Sequence, residues 1–290
     1  MKRRFKQVDV FSAKPFMGNP VAVVLDCANL KAPDMQMIAR WANLSETTFV
    51  LPPEQGGDYR IRIFTPVSEL PFAGHPAIGT VHAALESGVL PAGKEDYVQE
   101  CGAGSLRVRV EQAGPERHLF VEAPPATLRP IEDGELDELN MALDTDAGPT
   151  VRPQVVSVGP TWAVLDLGEA DAVSMLQPKM SAVATVSRAM NITGVAVFGR
   201  ERGSDVALRV RAFAPAEGVP EDPVCGSGNV CIAAFLRESG LLTSVGNFYS
   251  VSQGREVGRD GKVHIRVDVK TGAIELGGAA VTCIDGTLDC

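Results

Sequence analysis

Apolar positions recur at two spacings along this chain, and the switches between them outline its elements. The runs "VDVFSA", "NPVAVVLD", "TTFVLP" and "RIRIFTP" are β-branched and alternating or wholly apolar, with Gly/Pro turns between them, and they predict strands. "APDMQMIARWANL" sets Met35, Ile38, Ala39 and Ala42 on one stripe, the spacing of an amphipathic helix. Two later segments, "PAIGTVHAALESG" and "GNVCIAAFLRESG", are apolar nearly all round, and their Gly88 and Gly240 suit the C′ position of a helix. A helix with no polar face has to be enclosed by other structure, so each predicts a buried helix wrapped by a curved sheet.

The two buried-helix segments sit in longer stretches that match each other. "RIRIFTP" from Arg60 and "RVRAFAP" from Arg209 align at an offset of 149, and "ESGVL" from Glu86 and "ESGLL" from Glu238 at 152. The second copy therefore carries three extra residues, beside "EDPV". The likeness extends outward, to "RWANLSETTFV" against "RAMNITGVAVF" and to Gly102 against Gly254. Such self-similarity predicts a duplicated unit. The resulting fold class is α+β, with two pseudo-symmetric lobes, each a β-barrel-like sheet around a central helix. The N-terminal lobe is placed at 1–125 and the C-terminal lobe at 126–290. Whether the last ten or so residues, "AAVTCIDGTLDC", return to the first lobe is left open.

Composition narrows the class of function. No segment approaches the roughly 20 apolar residues of a membrane span, and the start "MKRRFKQVDVF" runs into a strand pattern without an apolar signal stretch. The expectation is a cytoplasmic protein away from membranes. A net charge of −9 with dispersed basic residues gives no footprint for nucleic acid, so a small molecule is the expected partner. The six cysteines show no CxxC spacing and the four histidines are scattered singly, so no metal site and no disulfide framework is expected.

Candidate chemistry gathers where the copies differ. In both, a Gly-rich turn, "AGHP" or "CGSGN", opens the buried helix, whose first N–H groups and positive dipole end suit an anion such as a carboxylate. Pro76 suits the first helical position, and Ser227 or Asn229 can cap the second helix. With pseudo-twofold symmetry both helix starts would face one cleft between the lobes, His75 opposite Ser227. Against this shared frame, Glu46 faces Gly194, the triplet Ala73–Gly74–His75 faces Cys225–Gly226–Ser227, and Glu221–Asp222 lies by the insertion. A symmetric scaffold with asymmetric polar groups suits proton transfer, one group carrying the proton while others orient the substrate.

The segments "GNPVAVV", "LSETTFV", "FTPVSELPFAGHPAIGT", "EDPVCGSGN" and "QGREVGRDGKVHIRV" resemble the signature segments of the PhzF family of phenazine-biosynthesis isomerase-like proteins, in the same order over essentially the whole chain. The resemblance implies a fold similar to diaminopimelate epimerase, a homodimer, and an isomerase that needs no cofactor. In PhzF itself, trans-2,3-dihydro-3-hydroxyanthranilate is isomerised by moving a proton between ring carbons. It further implies that Glu46 is the acid/base group, that His75, Asp222 and Ser227 are active-site residues, and that the turns at Gly74 and Gly226 supply backbone donors. Ser45 and Asn19 are second-tier candidates for contact with the substrate, with turn formation the competing reading for Asn19.

Cys225 departs from the commonest PhzF pattern, which has a hydroxyl residue there. A cysteine before "GSG" also resembles diaminopimelate epimerase and proline racemase, which use paired cysteines as bases, and a thiol at a helix start has its pKa lowered. Its counterpart is Ala73, so the pair is incomplete. An epimerase using Cys225 with Glu46 stands as one alternative, and a non-catalytic small-molecule-binding protein as another.

Overall fold

The computed structural model describes residues 1–113, 116–145 and 151–290. The chain divides into two compact units, Met1–Glu122 with Gly277–Cys290, and Ala123–Leu276. The C-terminal segment thus folds with the first unit.

In the first unit the elements are β1 (Lys2–Val10), β2 (Asn19–Val24), α1 (Ala32–Ala42), β3 (Thr47–Leu51), β4 (Tyr59–Phe64), the short β5 (Glu69–Leu70), α2 (Gly74–Glu86), β6 (Asp96–Cys101), β7 (Gly104–Ala113) and β8 (Glu116–Glu122). The second holds β9 (Thr127–Pro130), α3 (Asp133–Leu143), β10 (Gln154–Ser157), β11 (Thr161–Glu169), α4 (Ala170–Met175), α5 (Met180–Met190), β12 (Gly194–Arg200), β13 (Leu208–Ala214), β14 (Val219–Asp222), α6 (Gly226–Glu238), β15 (Phe248–Gln253), β16 (Gly261–Val267) and the start of β17 (Ile274–Asp289).

Strand β17 completes the first unit, pairing with β1 from Lys2↔Asp289 to Val10↔Ala280 and with β8 on its other side. The strands β1, β2, β3, β4, β6, β7, β8 and β17 close into an eight-stranded barrel, parallel at β2/β3 and β4/β6 and antiparallel at the other registered pairs. Closure removes exposed sheet edges. Helix α2 runs inside: every residue from Gly74 to Ala84 is buried. The second unit repeats the pairing pattern. Its sheet runs β9, β10, β11, β12, β13, β15, β16, parallel at β11/β12 and β13/β15, with α6 buried from Gly228 to Leu236. The apolar-all-round helices are the enclosed ones because they have no face to give to water.

Amphipathic helices cover the outside of each sheet. Met35, Ile38 and Ala39 of α1 pack on Val24, Phe49, Leu51 and Phe64, with Phe49 and Phe64 edge-to-face at 5.6 Å. In the second unit Leu139 and Leu143 of α3 join Val183 and Val186 of α5 over Val155, Leu165, Val197 and Phe213. Each fully buried Val, Leu or Phe adds about 1.5–3 kcal/mol over leaving it exposed.

The structure corrects two local expectations. Pro76 is the third residue of α2, not the first, because the helix already begins at Gly74. Ser227 and Asn229 lie inside α6, and its cap is Cys225, whose Sγ accepts the Gly228 N–H at 3.2 Å. Helices α3, α4 and α5 are further elements that the sequence reading does not announce; α3 starts on a capping box of Glu132 and Glu135.

Candidate active site

Helix α1 ends on Asn43 in the left-handed conformation, its N–H bonded to the Ala39 carbonyl, and the chain turns back through Ser45 and Glu46 into β3. The Glu46 carbonyl accepts the Ala22 N–H, which ties the turn to β2. The Glu46 side chain is only 16% exposed, and its Oε2 has no hydrogen-bond partner but lies 3.5 Å from Nε2 of His75, itself 6% exposed. Burial favours the neutral acid and raises the Glu46 pKa to about 7, with the Ser45 hydroxyl drawing it part of the way back. The carboxyl is therefore poised to take or give a proton near neutral pH.

His75 is held there by the start of α2. Ala73 is an extended N-cap with no side-chain hydrogen bond, and Ala77 is the first residue whose N–H bonds back into the helix, to the Ala73 carbonyl at 3.2 Å. Gly74 and His75 head the helix, where N–H groups meet no carbonyl of their own helix. The turn is braced by Thr80, whose Oγ1 lies 2.7 Å from both the Pro76 carbonyl and Thr48 Oγ1 on β3. That strut links the helix start to the strand that follows Glu46. Asn19 begins β2 and is buried.

The second unit sets its candidate residues around the start of α6. Asp222 ends β14, and its Oδ1 accepts the Val224 N–H at 3.0 Å. Cys225 caps the helix, Gly226 and Ser227 head it, and Ser227 Oγ accepts the indole N–H of Trp162 at 3.0 Å. Here an expectation fails: the Cys225 thiol is pushed well up rather than down. Burial is the larger cause and the charge of Asp222 the next, and together they outweigh the helix start. The thiol is neutral and structural in its contacts. Glu221, the neighbour of Asp222 at the insertion, is engaged by a buried bidentate pair with Arg211.

The asymmetry between the units has a steric basis at Gly194, the counterpart of Glu46. A Cβ at Gly194 would lie 2.1 Å from the Phe213 carbonyl oxygen, so any side chain there, a carboxylate included, would have to displace backbone. Trp162 is a neighbour of Ser227 that the sequence conceals. It lies 65 residues before Ser227, and no local spacing marks the contact. Among the described residues no cluster of His, Cys, Asp and Glu could hold a metal ion, and no helix is long and apolar enough to cross a membrane.

Compared with known proteins, residues 8–286 match the model of a family described as phenazine biosynthesis-like proteins, PhzC-PhzF. The chain is 39% identical to Antisense-enhancing sequence 1 of Schizosaccharomyces pombe, over 97% of each chain. It is 34% identical to trans-2,3-dihydro-3-hydroxyanthranilate isomerase of Pseudomonas aeruginosa, over 98% of each. Its fold is similar to the crystal structure of a PhzF-family phenazine biosynthesis protein of Bacillus anthracis, with a TM-score of 0.87, 24% identity and full coverage of both chains.

Proposed function

The chain belongs to the phenazine biosynthesis-like (PhzC-PhzF) family, and from that premise we propose that it is a cofactor-independent isomerase that moves a proton within a small carboxylated substrate bearing an amino or hydroxyl group. The observation that carries the reading is the Glu46 carboxyl, buried beside His75 with its pKa raised to about 7. As carboxylate it takes a proton from one substrate carbon, the electron pair shifts through the adjacent double bond, and the resulting acid returns the proton to a second carbon. Substrate and product then have the same composition, and one group serves as base and then as acid.

The other residues bind and orient. The N–H groups of Gly74 and Gly226 suit a substrate carboxylate, because helix starts stabilise anions. His75 polarises the reacting group, Asp222 takes an amino substituent, and Ser227 is oriented by the Trp162 indole. Ser45 tunes Glu46, and Asn19 contributes from the start of β2. Cys225 acts as a cap rather than as a base, since a neutral thiol is a poor acceptor for a carbon-bound proton.

The test is turnover of trans-2,3-dihydro-3-hydroxyanthranilate, the compound in the name of the Pseudomonas aeruginosa relative, by wild type, Glu46→Gln and Cys225→Ser. Glu46→Gln is expected to lose about 10²–10⁴-fold in kcat, and Cys225→Ser to stay within about tenfold of wild type because serine retains a cap acceptor. The opposite order would transfer the acid/base role to the thiol. Binding without turnover in every variant would favour a non-catalytic protein.

A further inference from the structure

The segment "QGREVGRDGKVHIRV" has no place in the proton transfer proposed above, yet its first, second and ninth residues lie against the Asp222 turn. Gln253 ends β15 and is buried, its Oε1 accepting Asn229 Nδ2 at 2.9 Å and its Nε2 donating to the Asp222 carbonyl at 3.0 Å. Asn229, also buried, donates from the same nitrogen to the Cys225 carbonyl at 2.8 Å. One chain of side-chain amides thus joins β15, the Asp222 turn and the first turn of α6. Backbone shape adds to it: Gly254 has φ of 101° and its Cβ would lie 2.4 Å from the Pro223 carbonyl oxygen, and a Cβ on Gly261, paired with Gln253, would lie 2.3 Å from Val224 Cγ2. The strand end and the turn are keyed to each other over residues 222–224.

The first unit contains the same turn without the amides. At the offset of 152 residues that matches "ESGVL" to "ESGLL", Pro71 corresponds to Pro223 and Gly102 to Gly254, and the Ala103 N–H bonds the Pro71 carbonyl at 3.1 Å. At that offset Leu70 stands for Asp222, Ala77 for Asn229 and Cys101 for Gln253. One carboxylate and two amides thus stand together in one unit, and all three are absent from the matching positions of the other. A fold that closes this turn with Leu, Ala and Cys has no need of the amides for stability, so their presence follows the acidic residue they surround.

We infer that Gln253 and Asn229 are positioning residues that fix the Asp222 turn against the start of α6, and so set affinity for the substrate group that Asp222 binds. The role of Asp222 rests on the function proposed above, whereas the clasp itself is a property of the second unit. Displacing a group that binds ground and transition states alike raises KM with kcat little changed, a weakened bond to a charged group is worth about 10–100-fold, and buried amide pairs act as units.

The experiment installs the first unit's pair in the second, Asn229→Ala with Gln253→Cys, in the full chain. The expected result is an unchanged cooperative unfolding transition, hydrogen exchange at the Val224 amide accelerated by about tenfold or more, and KM for trans-2,3-dihydro-3-hydroxyanthranilate raised about 10–100-fold with kcat within about threefold. Gln253→Met, which keeps the side-chain length and loses both hydrogen bonds, should reproduce the exchange and KM changes and decides the matter if the double variant does not fold. Unchanged Val224 exchange, or a fall in kcat with KM unmoved, would overturn the inference. If wild type fails to convert the compound, the proposed function falls separately, and Val224 exchange still decides whether the clasp holds the turn.

Discussion

Glu46 shows how one side chain acquires its chemistry from its surroundings. A carboxyl in a polar turn ordinarily titrates near 4.5, and here burial carries it to about 7. If its carboxylate starts the reaction, kcat/KM rises with pH through about 7 in wild type, and a pH-rate profile checks it. The same shift has a stability consequence of known sign. The folded state holds the Glu46 proton more tightly than the unfolded chain, so this contribution is full below about 4.5 and is lost as pH rises through about 7. Glu46→Gln should therefore be the more stable protein at pH 8, by on the order of 3 kcal/mol, in urea melts compared at pH 5 and pH 8; equal gaps at both would contradict the buried acid. Glu46 and His75 were legible in the sequence because they stand where the two copies differ. The state of Cys225 was not, since a helix-start argument is local and the burial and Asp222 charge that oppose it come from the folded neighbourhood.

At the scale of elements, periodicity located three helices, α1, α2 and α6, with their ends less well placed, and did not announce α3, α4 or α5. The two segments apolar all round became the enclosed α2 and α6, and the single-striped segment became the covering helix α1. The caps were misplaced because cap identity depends on where the preceding strand releases the chain, and Ala73 and Cys225 both hold the extended conformation one residue before the glycine. Strand β12 offers a sharp test. Its first residue, Gly194, meets the Phe213 carbonyl so closely that even a methyl group must displace backbone. Gly194→Ala should destabilise by about 1–3 kcal/mol or more in equilibrium denaturation, while the matching change at Glu46, to Ala, removes activity with no comparable backbone clash.

At the scale of the molecule, the repeat made two units of similar pairing expected, but it left the last strand undecided. Its partners are remote: β17 pairs Asp289 with Lys2, and no local spacing announces a contact across the whole chain. Because β17 seals the first unit between β1 and β8, a chain ending at Leu276 should lose the cooperative unfolding of that unit and expose apolar surface to dye; a truncated chain with native denaturation behaviour would contradict the closed barrel. The central claim, that the Glu46 carboxyl carries the proton between substrate carbons, is tested most directly by turnover of trans-2,3-dihydro-3-hydroxyanthranilate in deuterated water, with mass and NMR analysis of the product. Wild type should place label at the carbon that receives the proton, to the extent that the Glu46 acid exchanges with solvent, and Glu46→Gln should turn over and label substrate about 10²–10⁴-fold more slowly. Turnover and labelling by Glu46→Gln at the wild-type rate would contradict the account.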